Sequence, residues 1–356
     1  MSNRSVGRGP FGLARTAAAL PLLATLALAG AALVGATQGS SQGAFAAAAR
    51  GNYAIVILAS QTSDSILAIS LEEPGDRYEI ASVSHLPGHA STGSVSPDGS
   101  HVALVVADSG LVSSPRASLV LVELATGDAT LVAGGLDPLQ RPPWTSDGST
   151  VAVTSTQPAQ HGSNATVYIA GIDGTLEETA VFSGVLGIYP FSFSPDGVPW
   201  LSVIDRTGST LYLGQESRVS LGPYITRDWV LSPDALSVAY VEANTDSGVQ
   251  YLPRVVTTNP NFGHLETSIS TGQALGTAWH PSAISPTFGV DPSTALTSGG
   301  GFDVPLAFAA DGSALAVQHW TGGSYKQPGE VQLQAITASG RIALEPATRF
   351  LGWSAR

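Results

Sequence analysis

The chain has 356 residues and no cysteine. That excludes disulfides, thiolate metal sites, a cysteine nucleophile and the lipidated cysteine of a bacterial lipoprotein, so the folded body is held by packing alone. Charge is also scarce, at 12% of residues, and Lys326 is the only lysine, whereas glycine (40) and proline (23) are plentiful. Long helices with charged outer faces do not fit this composition; many short strands joined by tight turns do. All 27 acids but only 12 of the 15 basic residues lie beyond the N-terminal leader, which leaves the body at a net charge of −15. Such a body repels phosphate backbones, and no nucleic-acid partner is expected. The Gly-x-Ser-x-Gly elbow, His-Glu-x-x-His, the Walker A loop and the EF-hand loop are all missing, which turns the expectation from enzyme toward binding scaffold.

What is present begins with the leader. Residues 1–15 carry Arg4, Arg8 and Arg15 but no acid, and residues 16–36 form an uncharged Ala/Leu-rich run followed by TQGSSQG. This is the pattern of an export signal. Cleavage after Val34-Gly35-Ala36, or near Ala44-Phe45-Ala46, competes with retention as a membrane anchor. Twenty-one residues reach roughly 31 Å as a helix, enough for a bilayer core, but Pro21, Gly30 and Gly35 weigh against a permanent span. The positive-inside rule places the body outside the cytoplasm either way, in the periplasm, at the cell surface or secreted. The expected organisation is a signal peptide or anchor at 1–36, a flexible spacer at 37–52 and one domain at 53–356.

That domain repeats itself. Ser96 in GSVSPDGSHVALVV is matched by Thr145 in PPWTSDGSTVAVTS, Ser194 in FSFSPDGVPWLSVI, Ser232 in DWVLSPDALSVAYV and Ala309 in LAFAADGSALAVQH, with degenerate copies at His280 and Ser354. The residue before each is large and apolar (Val95, Trp144, Phe193, Leu231, Trp279, Phe308, Trp353), and the one before that is mostly small (Ser94, Pro143, Ser192, Val230, Ala278, Ala307, Gly352). This period-2 alternation predicts a strand with a neighbouring sheet on one face and tight space on the other. Ser-Pro-Asp-Gly is turn chemistry, since proline presets φ, Asp accepts local backbone bonds and Gly takes the fourth place. Asp98, Asp147, Asp196, Asp234 and Asp311, one per repeat, are therefore read as structural. Successive repeats lie 49, 49, 38, 48, 29 and 45 residues apart, room for four strands in most of them. The predicted fold is an all-β β-propeller, with the lone C-terminal strand at 350–354 completing the N-terminal blade. The 29-residue interval after His280 contains the loop 291–303. It predicts either seven blades with one cut to two strands, which the match of Phe288 to the second-strand template favours, or six blades with an insertion.

The SPDG turns, set between a large apolar residue and an apolar-small-apolar run, resemble the WD40-like (PD40) repeats of the TolB and Tricorn β-propeller families over residues 53–356. The resemblance implies an extracytoplasmic propeller that binds envelope proteins or peptides. No counterpart of the α/β domain that precedes the propeller in TolB is expected, so it does not imply a place in the Tol-Pal system.

Propeller sites gather where the innermost strands begin. His89, Arg141, Tyr189, Arg227, Asp228, Asp303 and Arg349 are placed there by the repeat. Mixed charge around a channel suits a peptide end or a small polar ligand, and two carboxylates with a histidine suit a divalent cation. Asp228 and Asp303 stand out, because each lies at the start of an innermost strand beside a bulky apolar run. His85 and His89, separated by Pro87-Gly88, cannot share a helical face and are read as loop histidines. No cofactor and no resident metal are expected. The expected partner is an extracytoplasmic protein or peptide; the alternatives are a propeller-type metal-dependent hydrolase or lactonase, and a small-ligand sensor held outside the membrane.

Overall fold

The alternation ahead of each turn folds into short antiparallel strands, and among the described residues every regular element is a β-strand. The computed structural model describes residues 52–214, 217–244, 250–258, 266–268, 274–290, 300–323 and 327–354. All belong to the second of the two units into which the chain divides, Met1–Val34 and Gly35–Arg356. The leader, the spacer up to residue 51, residues 291–299 of the glycine-rich loop and Lys326 lie outside the described residues.

The first sheet contains β1 (Tyr53–Ala59), β2 (Ser63–Ser70) and β3 (Arg77–Ser84). The second contains β4 (Thr92–Val95), β5 (His101–Leu111), β6 (Ser114–Glu123) and β7 (Ala129–Leu136). In the third, β8 (Thr150–Ala159), β9 (Gly162–Gly171) and β10 (Leu176–Val185) are joined by a single bridge from Trp144 to Val151 at the innermost position. β11 (Gly187–Phe193), β12 (Pro199–Asp205), β13 (Gly208–Leu213) and β14 (Ser217–Ser220) make the fourth. β15 (Ile225–Leu231), β16 (Ser237–Asn244), β17 (Gln250–Thr257) and β18 (Glu266–Ser268) make the fifth. The sixth is the hairpin of β19 (Ala274–Ala278) and β20 (Thr287–Val290), and the seventh holds β21 (Phe302–Phe308), β22 (Ala314–Trp320), β23 (Val331–Thr337) and β24 (Gly340–Ala343). Finally β25 (Arg349–Trp353) pairs with β1 and completes the first sheet. Of the two blade counts weighed, six describes the sheets of three or four strands, and the two-stranded hairpin is a seventh sheet between the fifth and the last.

Each sheet packs on the next through its own apolar cluster. Ile55 and Leu104 join the first sheet to the second, Leu119 and Trp144 the second to the third, and Val167 and Leu201 the third to the fourth. Leu211 meets Tyr240 across the fourth and fifth, Val241 meets Trp279 and Phe288 of the hairpin, and Ala278 meets Val317. Val56 and Leu333 bring the seventh sheet back onto the first, and the ring is closed. At about 1.5–3 kcal/mol for each fully buried Val, Leu or Ile, these interfaces stabilise a chain without disulfides.

The large and small positions of the repeat meet across the blades. The indole of Trp144 donates to the carbonyl of Ser94 at 3.2 Å and that of Trp353 to the carbonyl of Ala307 at 3.2 Å, each reaching the small position of the preceding blade. A Cβ on Gly352 would lie 2.7 Å from Val95 Cβ, so only glycine fits there. The turns behave as their composition demands. Asp147 accepts from Thr145 Oγ1 and from the Ser149 N–H, Asp98 and Asp234 accept equivalent pairs of bonds, and Asp311, which follows Ala309, accepts from the N–H and hydroxyl of Ser313. In the fourth sheet the Ser194 hydroxyl donates to the Val198 carbonyl and accepts the Val198 N–H.

The innermost strands are less regular than their sequence pattern. β11, β15, β19, β21 and β25 each carry a bulge, at Phe191, Asp228-Trp229, Gly276, Leu306 and Leu351 respectively. All of these residues stand three or four places before the turn, so the bulges share one level of the ring.

Candidate functional site

A bulge places an extra residue against its partner strand, bends the chain and re-aims side chains. Here the effect is a cavity of about 620 Å³, walled by β11, β15, β19 and β21 and by residues 139–141 ahead of the third sheet. Phe191, Asp228, Trp229, Gly276 and Leu306, the bulge residues of those four strands, all line it.

Two of its walls differ in character. On one, Tyr189 stacks on Trp229 with ring centroids 5.4 Å apart, Phe191 lies 6.4 Å from the same indole, and Trp229 Nε1 donates to Thr226 Oγ1 at 3.0 Å. The other is polar. Arg227 Nε donates to Asp228 Oδ2 at 2.9 Å, and the same oxygen accepts the N–H of Gly276 at 3.2 Å, which ties the bulge of β15 to that of β19.

Arg141 enters from a rigid loop. Gln140 beside it donates to the carbonyls of Asp137 and Thr154 and accepts the Thr154 N–H, while the Asp137 carboxylate accepts from the N–H and hydroxyl of Thr156. Arg141 Nη2 donates to the carbonyl of Leu351, the bulge residue of β25, at 3.3 Å. The side chain is open to water in the cavity and is also crowded by protein, and the resulting desolvation lowers its pKa from the ordinary arginine value. Among the described residues it forms no ion pair. Among the described residues, three other than glycine have φ in the left-handed region, Leu139 (63°), Asp228 (56°) and Ala235 (57°), and the first two line this cavity. Strained backbone of this kind concentrates where surrounding structure enforces a site.

The structure thus brings Arg141, Tyr189, Arg227 and Asp228 together and leaves the other three candidates outside the wall. Asp303 is 1% exposed, and its oxygens accept from His319 Nδ1 at 2.8 Å and from Arg341 at 3.1 and 2.6 Å. It ties β21 to β22 and β24 within its own blade. His89 Nε2 bonds the Val112 carbonyl at 2.8 Å, and Arg349 Nη1 donates to the Ser91 carbonyl at 3.1 Å. Nor do His85 and His89 converge, since His85 is buried against Asp64. Tyr189, Arg227, Asp228, Asp303 and Arg349 also lie within the innermost strands, whose pairing continues upstream past the bulges, and not in loops ahead of them. Among the described residues no three His, Asp or Glu side chains converge as a metal site requires. Sequence reasoning missed Phe191 and Trp229. Their signal was an aromatic residue at the same place, three before the turn, in consecutive blades.

No protein-family model matches the sequence, and no curated protein matches it. Solved structures do. TolB from Acinetobacter baumannii superposes with a TM-score of 0.52 at 14% identity, over 86% of this chain and 67% of that one. The fold is a β-propeller, similar to that of TolB. The propeller is similar also to a protein described as a 6-phosphogluconolactonase from Bacteroides uniformis, with a TM-score of 0.55 at 12% identity over 86% of this chain and 99% of the other. A protein assigned as TolB from Agrobacterium tumefaciens gives 0.50 at 17%, over 83% and 92%. At such identities the likeness speaks for the fold, and the site has to be read from its own residues.

Proposed function

We propose that this TolB-like propeller is exported and acts as a binding scaffold, taking a protein or peptide partner into the cavity at the bulged level of its ring. The observation that carries this reading is the cavity's construction: a preformed wall of aromatic rings, an ion pair and an arginine that forms no ion pair among the described residues, held by strained backbone at Leu139 and Asp228. Preformed concave sites with a few convergent polar groups bind ligands at low ordering cost. The leader, with arginines ahead of an apolar run, supports an extracytoplasmic location. The resemblance to TolB repeats supports a polypeptide partner. The metal-dependent lactonase reading gains nothing from the geometry, because Asp228 and Asp303 sit on different sheets and an arginine engages each.

The test is positional. A photo-crosslinking amino acid at Leu139, exposed on the cavity rim, is expected to trap an extracytoplasmic polypeptide in the native host, whereas the same probe at Val181, exposed on outer strand β10, is not. Equal trapping from both positions, trapping from neither, or recovery of the full chain only from the cytoplasm would refute the proposal.

A further inference from the structure

The cavity carries a charge that its surroundings do not explain. Among the described residues, the lining side chains charged at neutral pH are Arg141, Arg227 and Asp228, a net charge of +1 inside a chain whose formal charge is −12. Arg227 and Asp228 neutralise each other through Nε, and among the described residues the terminal nitrogens of Arg227 have no side-chain acceptor. Arg141 spends one nitrogen on the Leu351 carbonyl and, among the described residues, pairs with no carboxylate. Arg141 is exposed in the cavity, so water solvates its remaining donors and an anion that enters can take them over; in a protein with 27 acids the missing partner is not for want of carboxylates. The loop behind it is fixed by Gln140 and Asp137, so the guanidinium is held ready and need not be ordered on binding.

We infer that Arg141 is the anchor for a monoanionic carboxylate whose adjoining apolar or aromatic group lies on the Tyr189–Trp229 stack. A carboxylate matches the planar fork of the guanidinium, and one negative charge balances the one excess positive charge of the lining. A phosphate dianion would leave the cavity overcharged. The aromatic rings that line the same cavity supply area for the ligand's apolar part. Two sources present this chemistry, the C-terminus of a polypeptide and a small free acid. The inference rests on the proposed function for the site's use as a binding cavity, and it adds the class of group that is bound.

The experiment is calorimetric titration of the full-length protein with Ala-Gly-Phe, its C-terminal amide, 3-phenylpropionate and inorganic phosphate. The free acid of the peptide is expected to bind at least about tenfold more tightly than the amide, the usual effect of removing one charge-assisted pair. Arg141→Gln should abolish that preference and Arg141→Lys should keep part of it. The acid-against-amide comparison on the unaltered protein stands even if a variant fails to fold. Tighter binding of the peptide acid than of 3-phenylpropionate supports a polypeptide C-terminus, and the reverse order supports a small acid; both uphold the carboxylate anchor. Equal binding of acid and amide, or competition by phosphate at the concentration where 3-phenylpropionate competes, overturns it. If no acid binds while the Leu139 probe still traps polypeptides, the carboxylate inference fails and the proposed function survives.

Discussion

Asp147 is fully exposed, yet its carboxyl is held down to about 2 by the Thr145 hydroxyl and by the amide and hydroxyl of Ser149. Asp234 and Asp196 are lowered first by the hydroxyls of Ser232 and Ser194. At Asp98 burial is the largest single influence and acts upward, but the bonds from Ser96 and Ser100 together outweigh it. In each case the ionised form is preferred by the folded state and not by the unfolded one. Between the two values the unfolded chain therefore binds more protons, and stability falls as pH falls. The window runs from the ordinary carboxylate value of 3.8 down to about 2 for Asp147. Because the same turn recurs around the ring, several groups titrate together, and the melting temperature should drop steeply below pH 4 and change little between pH 5 and 7. Asp147→Asn should flatten that drop when melting is followed by circular dichroism at successive pH values. An unchanged slope would show that the turn carboxylates do not set acid stability.

At the scale of the element, the bulged innermost strand decides what faces the cavity. Gly276 shows why the bulge of β19 needs glycine: its φ is +71°, and a Cβ would come within 2.5 Å of Val304 Cγ1 and 2.7 Å of the Pro305 carbonyl on β21. Gly276→Ala should cost about 2 kcal/mol or more in urea unfolding, from left-handed strain plus the forced separation of β19 and β21. Gly75→Ala, where nothing lies within 4 Å and φ is ordinary, should stay within about 0.5 kcal/mol. Equal effects would remove the case for a conformational requirement at the bulge. The same element marks the limit of what the sequence discloses. Strand identity was legible because large and small residues alternate up to the turn, and Trp144 and Gly352 occupy the roles that alternation implies. The bulge was not legible, since one inserted residue shifts the period locally without altering composition, and nothing in the local pattern marks Phe191 and Trp229 as displaced from the ladder. Asp228 was visible by its charge alone. Asp303 was equally visible and misleading, because its partner Arg341 stands 38 residues away and spacing does not reveal such a pairing.

For the whole molecule the decisive contact is the one between its two ends of ring. β25 pairs with β1, Ser354 exchanges bonds with Tyr53, and Phe350 and Leu351 fill clusters on opposite faces of the first sheet. Two buried side chains at about 2 kcal/mol each, with several backbone bonds at about 1 kcal/mol net, amount to a large part of the roughly 5–15 kcal/mol that holds a domain folded. β25 also supplies the Leu351 carbonyl that holds Arg141, so closure and the cavity depend on the same strand. Removing residues 349–356 should therefore leave β1 as an open edge, lower the urea midpoint, raise proteolytic sensitivity throughout the ring and abolish ligand binding together with it. A synthetic peptide of residues 349–356 added in excess should restore protection and binding together, because it refills the same edge and the same two clusters. Cooperative unfolding of the truncated chain at the midpoint of the full-length protein would show that the ring does not depend on this strand. Recovery of protection without recovery of binding would separate the fold's closure from the placement of Arg141.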